Sequence, residues 1–220
     1  MNRKIIITGD GSATIQIDGW NETYHSKHGA IQEALYVFID KGFRLCKGPK
    51  ISILEMGFGS GLNAFITLME ADRQNLKVHY TTVEAFPVAQ EEWHQLNYPE
   101  QLNAERFATQ FEALHNSPWG QEVAISQNFT FLKRKQLFED VADENLYSLI
   151  YFDAFGARVQ PELWGESIFK KMYNALCPDG VLVTYASNSM ARKAMLACGF
   201  LVEKLPGPPG KREMLRAKKP

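Results

Sequence analysis

Cysteine is scarce in this sequence, and its positions show no metal-ligand spacing. The 220-residue chain contains only Cys46, Cys177 and Cys198, an odd number at widely separated positions. A disulfide-stabilised scaffold and a cysteine-based metal site are therefore excluded as starting hypotheses. We expect reduced thiols, no bound metal and a cytoplasmic location.

Long apolar runs and an excess of charge of one sign are also lacking. No segment approaches the roughly 20 apolar residues of a membrane-spanning helix, and the apolar run near the N-terminus is too short for a signal peptide. The 24 basic and 25 acidic residues give a formal net charge of −1. We expect no membrane association and no obligate protein partner. Nucleic-acid binding would need a local basic cluster, because the overall charge does not provide one.

From residue 51 onward, short apolar runs alternate with amphipathic segments, which predicts parallel strands connected by helices. The predicted strands are 51–56, 78–83, 129–133, 147–152 and 181–185. The predicted helices are 62–69, 88–96, 99–116, 162–176 and 190–198. Two further runs, 201–204 and 213–216, flank a proline- and glycine-rich turn and predict a closing hairpin with an antiparallel last strand. The predicted fold class is α/β with a doubly wound mixed sheet.

The first 45 residues have a different pattern. Two β-rich runs, 4–8 and 14–17, flank the turn-forming segment 9–12, which predicts a β-hairpin. A polar loop over 21–26 and a helix over 30–38 follow. We interpret residues 1–45 as a β-hairpin and helix extension packed on a domain formed by residues 46–220.

A glycine-rich loop follows the first strand of the alternating region. Gly57, Gly59 and Gly61 precede a predicted helix, and glycine lets the backbone turn sharply and approach a ligand. The spacing G-x-G-x-G differs from the dinucleotide fingerprint G-x-G-x-x-G, and Glu55 precedes it. An acid does not help to bind a pyrophosphate but pairs with an amino group. The loop therefore favours S-adenosylmethionine over a nicotinamide cofactor.

Two further acids end predicted strands, at the edge where ligands bind in such sheets. Glu84 ends the second strand, where a carboxylate hydrogen-bonds the ribose hydroxyls of an adenosine; this role is common to both cofactors. Asp153 ends the fourth strand, where a carboxylate would orient an amine acceptor and take up its proton. Phe155 would stack on a base or exclude water. A solvated acid at Glu84 and a loop anchor at Phe155 are the alternative interpretations.

These segments resemble the bacterial MnmC/MnmD-type tRNA methyltransferases over essentially the whole chain. The similar segments are YHS at 24–26 with GA at 29–30, LEMGFGSGLN at 54–63, VEAFP at 83–87, YFDAF at 151–155 with PELW at 161–164, VTYAS at 183–187, GF at 199–200, VEK at 202–204, PG at 206–207 and GKREML at 210–215. The resemblance implies a class I methyltransferase fold, Rossmann-like, with an N-terminal β extension. It also implies methylation of the aminomethyl group of 5-aminomethyl-2-thiouridine at the tRNA wobble position, which gives 5-methylaminomethyl-2-thiouridine.

The resemblance also implies site residues. Those matching the cofactor-binding motifs are Glu55, Gly57, Phe58, Gly59, Gly61, Asn63 and Glu84. Asp153 matches the catalytic aspartate, and His25 and Ser26 are expected over the donor site, in contact with substrate. Longer family members carry a flavin-dependent oxidase domain after the methyltransferase; this sequence ends at Pro220, so we expect no FAD. The family's Gly-Asp pair after the third strand is missing, which leaves Gln136 as a candidate contact to adenine.

A local basic cluster near the C-terminus supports the implied tRNA partner. We predict that Lys211 and Arg212, followed by Arg216, Lys218 and Lys219, contact phosphates of the anticodon stem-loop. An ordinary solvated basic tail is the alternative. Two other functions remain open at this point: a methyltransferase that acts on a small-molecule amine, and a nucleotide-binding protein without catalytic activity.

Overall fold

A computed structural model describes residues 3–20 and 22–220, and its centre is an eight-stranded mixed sheet. Met1 and Asn2 of the expected extension, and Asn21 of the expected polar loop, lie outside the described residues. The strands are β1 Arg3–Ile7, β2 Ala13–Ile17, β3 Glu22–Thr23, β4 Lys50–Met56, β5 Lys77–Val83, β6 Glu122–Ser126, β7 Phe129–Arg134, β8 Tyr147–Phe152, β9 Leu176–Thr184, β10 Leu201–Pro206 and β11 Glu213–Lys218. The helices are α1 Ala30–Ala34, α2 Leu62–Gln74, α3 Gln90–Trp93, α4 Tyr98–Gln101, α5 Ala108–Asn116, α6 Glu166–Ala175 and α7 Ser189–Ala197.

The strand order of the central sheet is β10-β11-β9-β8-β4-β5-β7-β6. The five middle strands, β9, β8, β4, β5 and β7, are parallel to one another. At one edge β6 pairs antiparallel with β7. At the other edge β11 lies antiparallel between β9 and β10. The predicted α/β class and the antiparallel last strand are therefore confirmed.

Successive residues of the central strands enter two apolar layers, because side chains alternate across a strand. Ile53 packs on the face that also receives α1, α2 and α5, whereas Leu54 packs on the face with α6 and α7. Leu149 and Ile150 on β8 divide in the same way. A sheet covered on both faces leaves its strand ends as the place for a ligand.

The extension is joined to the core by polar and aromatic contacts. The predicted hairpin is confirmed as β1 and β2. In its turn, the carboxylate of Asp10 accepts hydrogen bonds from the backbone N–H of Ser12 (3.1 Å) and Gln32 (3.0 Å). After α1 the chain continues as a wider helical turn over Leu35–Asp40. There the Phe38 ring lies 5.0 Å from the ring of Tyr151 on β8.

The prediction of one long helix over 99–116 is wrong. The segment divides into α4 and α5, which are separated by a short turn of 3-10 helix at Glu105–Phe107. Asn103 takes a left-handed conformation with φ of 50°, and an α-helix does not continue through such a residue. The helix predicted over 88–96 is likewise limited to Gln90–Trp93.

Three strand assignments also differ from the sequence prediction. The predicted polar loop contains β3, and β6 was not predicted. β9 begins at Leu176 rather than at residue 181. The preceding helix therefore ends at Ala175, and it begins only at Glu166 because Gly165 is extended. β6 was not predicted because none of its residues is fully buried, and the segment therefore lacks the apolar pattern of a buried strand.

Candidate active site

The glycine loop after β4 has the tight geometry that its sequence predicted. Gly57, Gly59 and Gly61 all have positive φ, at 100°, 51° and 76°. A Cβ on Gly57 would lie 2.9 Å from the backbone oxygen of Asp153, and one on Gly59 would lie 2.9 Å from the ring of Tyr24. The loop therefore passes against both neighbours at distances that only glycine permits.

Glu84, directly after β5, holds the glycine loop from the side. Its Oε2 accepts a hydrogen bond from the backbone N–H of Gly59 at 3.0 Å, and its Oε1 accepts one from Phe86 N–H at 2.8 Å. A carboxylate has about four acceptor positions, so each oxygen retains one. Glu84 lines a cavity at this edge of the sheet, and this is the arrangement that a pair of ribose hydroxyls requires.

Asp153, directly after β8, faces the same cavity. Its Oδ2 accepts a hydrogen bond from Nδ2 of Asn63 on α2, at 2.8 Å. Burial raises the pKa of Asp153 to about 7, although the Asn63 hydrogen bond opposes this effect. The carboxyl group therefore exchanges a proton near neutral pH, as a general base requires.

The cavity has a volume of about 340 Å³ and lies over the carboxyl ends of the parallel strands, with residues of the extension over it. Ten of the predicted site residues line it, and they are His25, Ser26, Gly57, Phe58, Gly59, Asn63, Glu84, Asp153, Phe155 and Lys211. Three predicted residues, Glu55, Gly61 and Arg212, do not line it. The strand ends and the extension thus bring these ten residues together from five separate segments of the sequence, 25–26, 57–63, 84, 153–155 and 211.

Glu55 lies beneath the loop rather than at the cavity wall. The residue is fully buried, and neither carboxylate oxygen has a hydrogen-bond partner among the described residues. Burial raises the pKa of Glu55 well above its usual value. The expected pairing of Glu55 with a cofactor amino group stays a prediction, and Glu55 does not line the cavity.

His25 connects the extension to the glycine loop. Its Nδ1 lies 3.0 Å from Thr14 Oγ1, and its Nε2 lies 3.4 Å from Ser60 Oγ. Burial lowers the pKa of His25 to about 4, so the imidazole is neutral near pH 7. Its contact with substrate stays a prediction, whereas its contact with the loop is direct.

Aromatic rings form one wall of the cavity. The Phe155 ring lies 5.1 Å from that of Tyr24 and 5.8 Å from that of Trp20, in edge-to-face geometry. Arg158 donates to the backbone oxygen of Trp20 at 2.7 Å and to Glu22 Oε1 at 2.6 Å, which ties this wall to the loop after β8. The sequence analysis did not identify Trp20, since an isolated tryptophan in a turn has no motif around it.

The two basic residues predicted on the tail have different positions. Lys211 lines the cavity, where its Nζ donates to Glu33 Oε1 and lies 3.8 Å from the Tyr185 ring centre. Lys211 is therefore a cavity residue paired with a carboxylate, and its predicted contact with tRNA phosphates stays a prediction. Arg212 is exposed and outside the cavity. Glu33 and Tyr185 were missed, because no local pattern indicates that residues so distant in sequence meet at Lys211.

The side of the cavity beside β7 is apolar. Leu137 and Phe138 line it, but Gln136, the expected adenine contact, does not. In the described ranges, 3–20 and 22–220, no cluster of three or more metal-ligating side chains occurs. No helix within these ranges is long and apolar enough to cross a bilayer.

Residues 104–220 match a family described as S-adenosyl-L-methionine-dependent methyltransferases. The chain is 30% identical to the tRNA 5-methylaminomethyl-2-thiouridine biosynthesis bifunctional protein MnmC of Delftia acidovorans, over 90% of this chain and 32% of that protein. It is 28% identical to the MnmC protein of Ectopseudomonas mendocina, over 89% of this chain and 32% of that protein. The chain thus spans about a third of the length of these relatives.

Two solved structures share this fold. The crystal structure of MnmC2 from Aquifex aeolicus superimposes with a TM-score of 0.80 at 25% identity, covering 100% of this chain and 71% of that one. Spermidine synthase from Thermotoga maritima superimposes with a TM-score of 0.60 at 13% identity, covering 99% and 68%, which supports the fold alone. With the match over more than half of its residues, the chain belongs to the S-adenosyl-L-methionine-dependent methyltransferase family.

Proposed function

We propose that this protein methylates the aminomethyl group of 5-aminomethyl-2-thiouridine at the tRNA wobble position, giving 5-methylaminomethyl-2-thiouridine. The observation that carries this proposal is the position of Asp153. Its carboxylate, with a pKa near 7, shares one cavity with the glycine loop of a methyltransferase. The names of the MnmC relatives supply the nucleoside. We place the reaction in the cytoplasm, where tRNA is modified.

The residues at the loop suit S-adenosylmethionine. A Cβ at Gly57 would clash with Asp153, and one at Gly59 would clash with Tyr24. Glu84 lines the cavity and retains one acceptor position on each oxygen. We propose that the loop supports the amino-acid part of the cofactor and that Glu84 binds its ribose. When bound, the cofactor supplies an electrophilic methyl group on a sulfonium. Because its transfer involves no net oxidation or reduction, the proposed reaction has no redox step for FAD to carry out.

Asp153 acts on the acceptor amine. An ammonium nitrogen has no free lone pair, so it must lose a proton before it forms a bond to carbon. The Asp153 carboxylate accepts this proton, and the amide of Asn63 holds the carboxylate in place at 2.8 Å. Such proton transfer contributes about 10²- to 10⁴-fold to the rate.

The walls of the cavity suit a nucleobase. Trp20, Tyr24 and Phe155 present aromatic edges and faces on the acceptor side, and stacking on aromatic rings is how proteins hold bases that are turned out of an RNA loop. The exposed guanidinium of Arg212 is available to a phosphate of the anticodon stem-loop.

The test is a methyl-transfer assay with purified protein. The acceptors are tRNA that carries the unmethylated aminomethyl nucleoside, the same tRNA already methylated, and small aliphatic amines. We expect transfer to the first alone, with 5-methylaminomethyl-2-thiouridine as the product by nucleoside analysis. Transfer to small amines but not to tRNA would replace this proposal with the small-molecule alternative. Cofactor binding by calorimetry without any transfer would indicate a binding protein.

A further inference from the structure

Glu33, on the first turn of α1, places a second carboxylate in the acceptor part of the cavity. Its side chain is only 7% exposed, yet it lines the cavity together with Asp153. Its Oε2 accepts the backbone N–H of Ser26 at 2.8 Å, and its Oε1 accepts the ammonium of Lys211. Of about four acceptor positions on a carboxylate, two are used, so Glu33 can accept further hydrogen bonds.

Lys211 is fixed where it neutralises one of the two acids. Its ammonium lies on Glu33 and 3.8 Å from the ring centre of Tyr185, a geometry in which a cation is stabilised by the ring face. The phenol of Tyr185 donates to the backbone oxygen of Ala154 at 2.8 Å. The Lys211 ammonium is therefore positioned by both the Glu33 carboxylate and the Tyr185 ring.

When Asp153 is ionised, the charged groups in this part of the cavity carry one excess negative charge. Asp153 and Glu33 contribute the acids, and Lys211 contributes the cation. The buried His25 and the partly buried Tyr185 are neutral near pH 7, since desolvation lowers the pKa of the first and raises that of the second well above its usual value. The other charged lining residues lie in contacts of their own, and these are Glu22 with Arg158, Arg3 with Glu92, and Glu84 on the glycine loop.

We propose that Glu33 is the second carboxylate of the acceptor site, which binds the incoming substrate amine in its ammonium form beside Asp153, and that Lys211 is the residue that positions Glu33. This inference rests on the proposed function. An ammonium has three N–H donors, and two carboxylates bind it better than one. A site with one excess negative charge matches one cationic amine, and it disfavours acceptors with a neutral group in the same place.

The experiment compares Glu33→Gln with Glu70→Gln in the tRNA methyl-transfer assay. Glu70 on α2 is a matched control, since it is also a buried carboxylate paired with a basic side chain, here Arg73, but lies outside the cavity. We expect Glu33→Gln to raise KM for the aminomethyl tRNA about tenfold or more near pH 7, as the loss of a charge-assisted hydrogen bond predicts. The affinity for S-adenosylmethionine should stay within about twofold. The control should change neither quantity.

The pH dependence distinguishes recognition of charge from a structural role. If Glu33 binds the ammonium form, the KM ratio of variant to wild type falls as the pH rises to about 10 and the amine becomes neutral. At low pH, kcat/KM should fall as Asp153 becomes protonated. Lys211→Met should raise the midpoint pH of this fall, because it removes a cation near Asp153. Lys211→Arg should return the midpoint to its wild-type value. A structural role would instead lower kcat and cofactor affinity at every pH.

The possible failures are distinguishable. No methyl transfer to tRNA by the wild-type protein contradicts the proposed function. Normal wild-type transfer, combined with an unchanged KM in Glu33→Gln or a KM ratio that is independent of pH, overturns the inference and leaves the proposed function standing. An unchanged pH profile in Lys211→Met removes the positioning role of Lys211.

Discussion

Asn63 donates a 2.8 Å hydrogen bond from its amide to the carboxylate of Asp153. The bond joins the helix after the glycine loop to the strand end that lines the cavity. If Asp153 is the proton acceptor that we propose, a change to either side chain should be detectable in the pH dependence of the reaction.

We predict an acidic limb in kcat/KM with a midpoint near pH 7. Asp153 must be ionised to take a proton, and burial raises its pKa to about 7, so the rate falls as the pH drops below that value. Asn63→Ala removes the hydrogen bond that stabilises the carboxylate, and it should move the limb to higher pH. Asp153→Asn should lower kcat by about 10²- to 10⁴-fold and abolish the limb. A limb that is unchanged in Asn63→Ala would contradict this assignment.

The same acid should destabilise the fold at alkaline pH. The pKa of Asp153 in the folded protein is above the unfolded value of about 3.9, so the stability that this group contributes is present at low pH and is lost as the pH rises to about 7. Asp153→Asn mimics the protonated form. We expect it to raise the melting temperature by about 2–6 °C at pH 8, and by less at pH 5.

Thermal denaturation without cofactor at both pH values measures this effect. Asp72→Asn is a suitable control, because Asp72 is exposed at the end of α2 and lies outside the cavity. A gain for Asp153→Asn that is equal at the two pH values would show that ionisation of the carboxyl group is not its cause.

A pair of glycine variants distinguishes the effect of backbone strain from the effect of a steric clash in the glycine loop. Gly59 and Gly120 both have positive φ, 51° and 75°. A Cβ on Gly59 would lie 2.9 Å from Tyr24, whereas one on Gly120 would meet nothing within 4 Å. Gly120→Ala should cost about 1 kcal/mol of unfolding free energy from strain alone. Gly59→Ala should cost more and should also weaken S-adenosylmethionine binding at least about tenfold. Equal cofactor affinity in the two variants would remove the loop from the cofactor site.

The exposed basic surface should contribute to tRNA affinity and not to cofactor affinity. Arg212→Glu combined with Lys193→Glu reverses two exposed charges. We expect weaker tRNA binding and a salt dependence of log K that is less steep by about one to two. Lys50→Glu, at the opposite ends of the parallel strands, is the control and should change neither quantity. Unchanged tRNA affinity in the double variant would place the tRNA elsewhere on the surface.

The sequence predicted the sheet and the edge at which the cavity lies, because local patterns along the chain indicate both. The buried parallel strands are nearly continuous apolar runs, and the acids Glu84 and Asp153 follow directly after them. The glycines at 57, 59 and 61 require positive φ, and this requirement is visible in the residue type itself. These features needed no knowledge of how distant segments meet.

The remainder of the site depends on contacts between distant segments. Glu33 and Lys211 are 178 residues apart in the chain, and each has the local pattern of a solvated charge. The burial of Lys133 was equally unpredictable from its neighbours in the sequence. The residue is only 1% exposed, and its Nζ donates to the backbone oxygen of His115. Asn103 ended a helix that the apolar spacing alone would have continued. Such residues are explained by their neighbours in space, which a pattern along the chain does not contain.

The insertion of β11 between β9 and β10 has a consequence for biosynthesis. Until residues 213–218 have left the ribosome, β9 exposes an unpaired edge and β10 has no partner in the sheet. Lys211 enters the cavity only when the same hairpin closes. The glycine loop is therefore synthesised well before Lys211, the residue that pairs with Glu33, and the acceptor site that we propose is complete only once this last hairpin has joined the sheet.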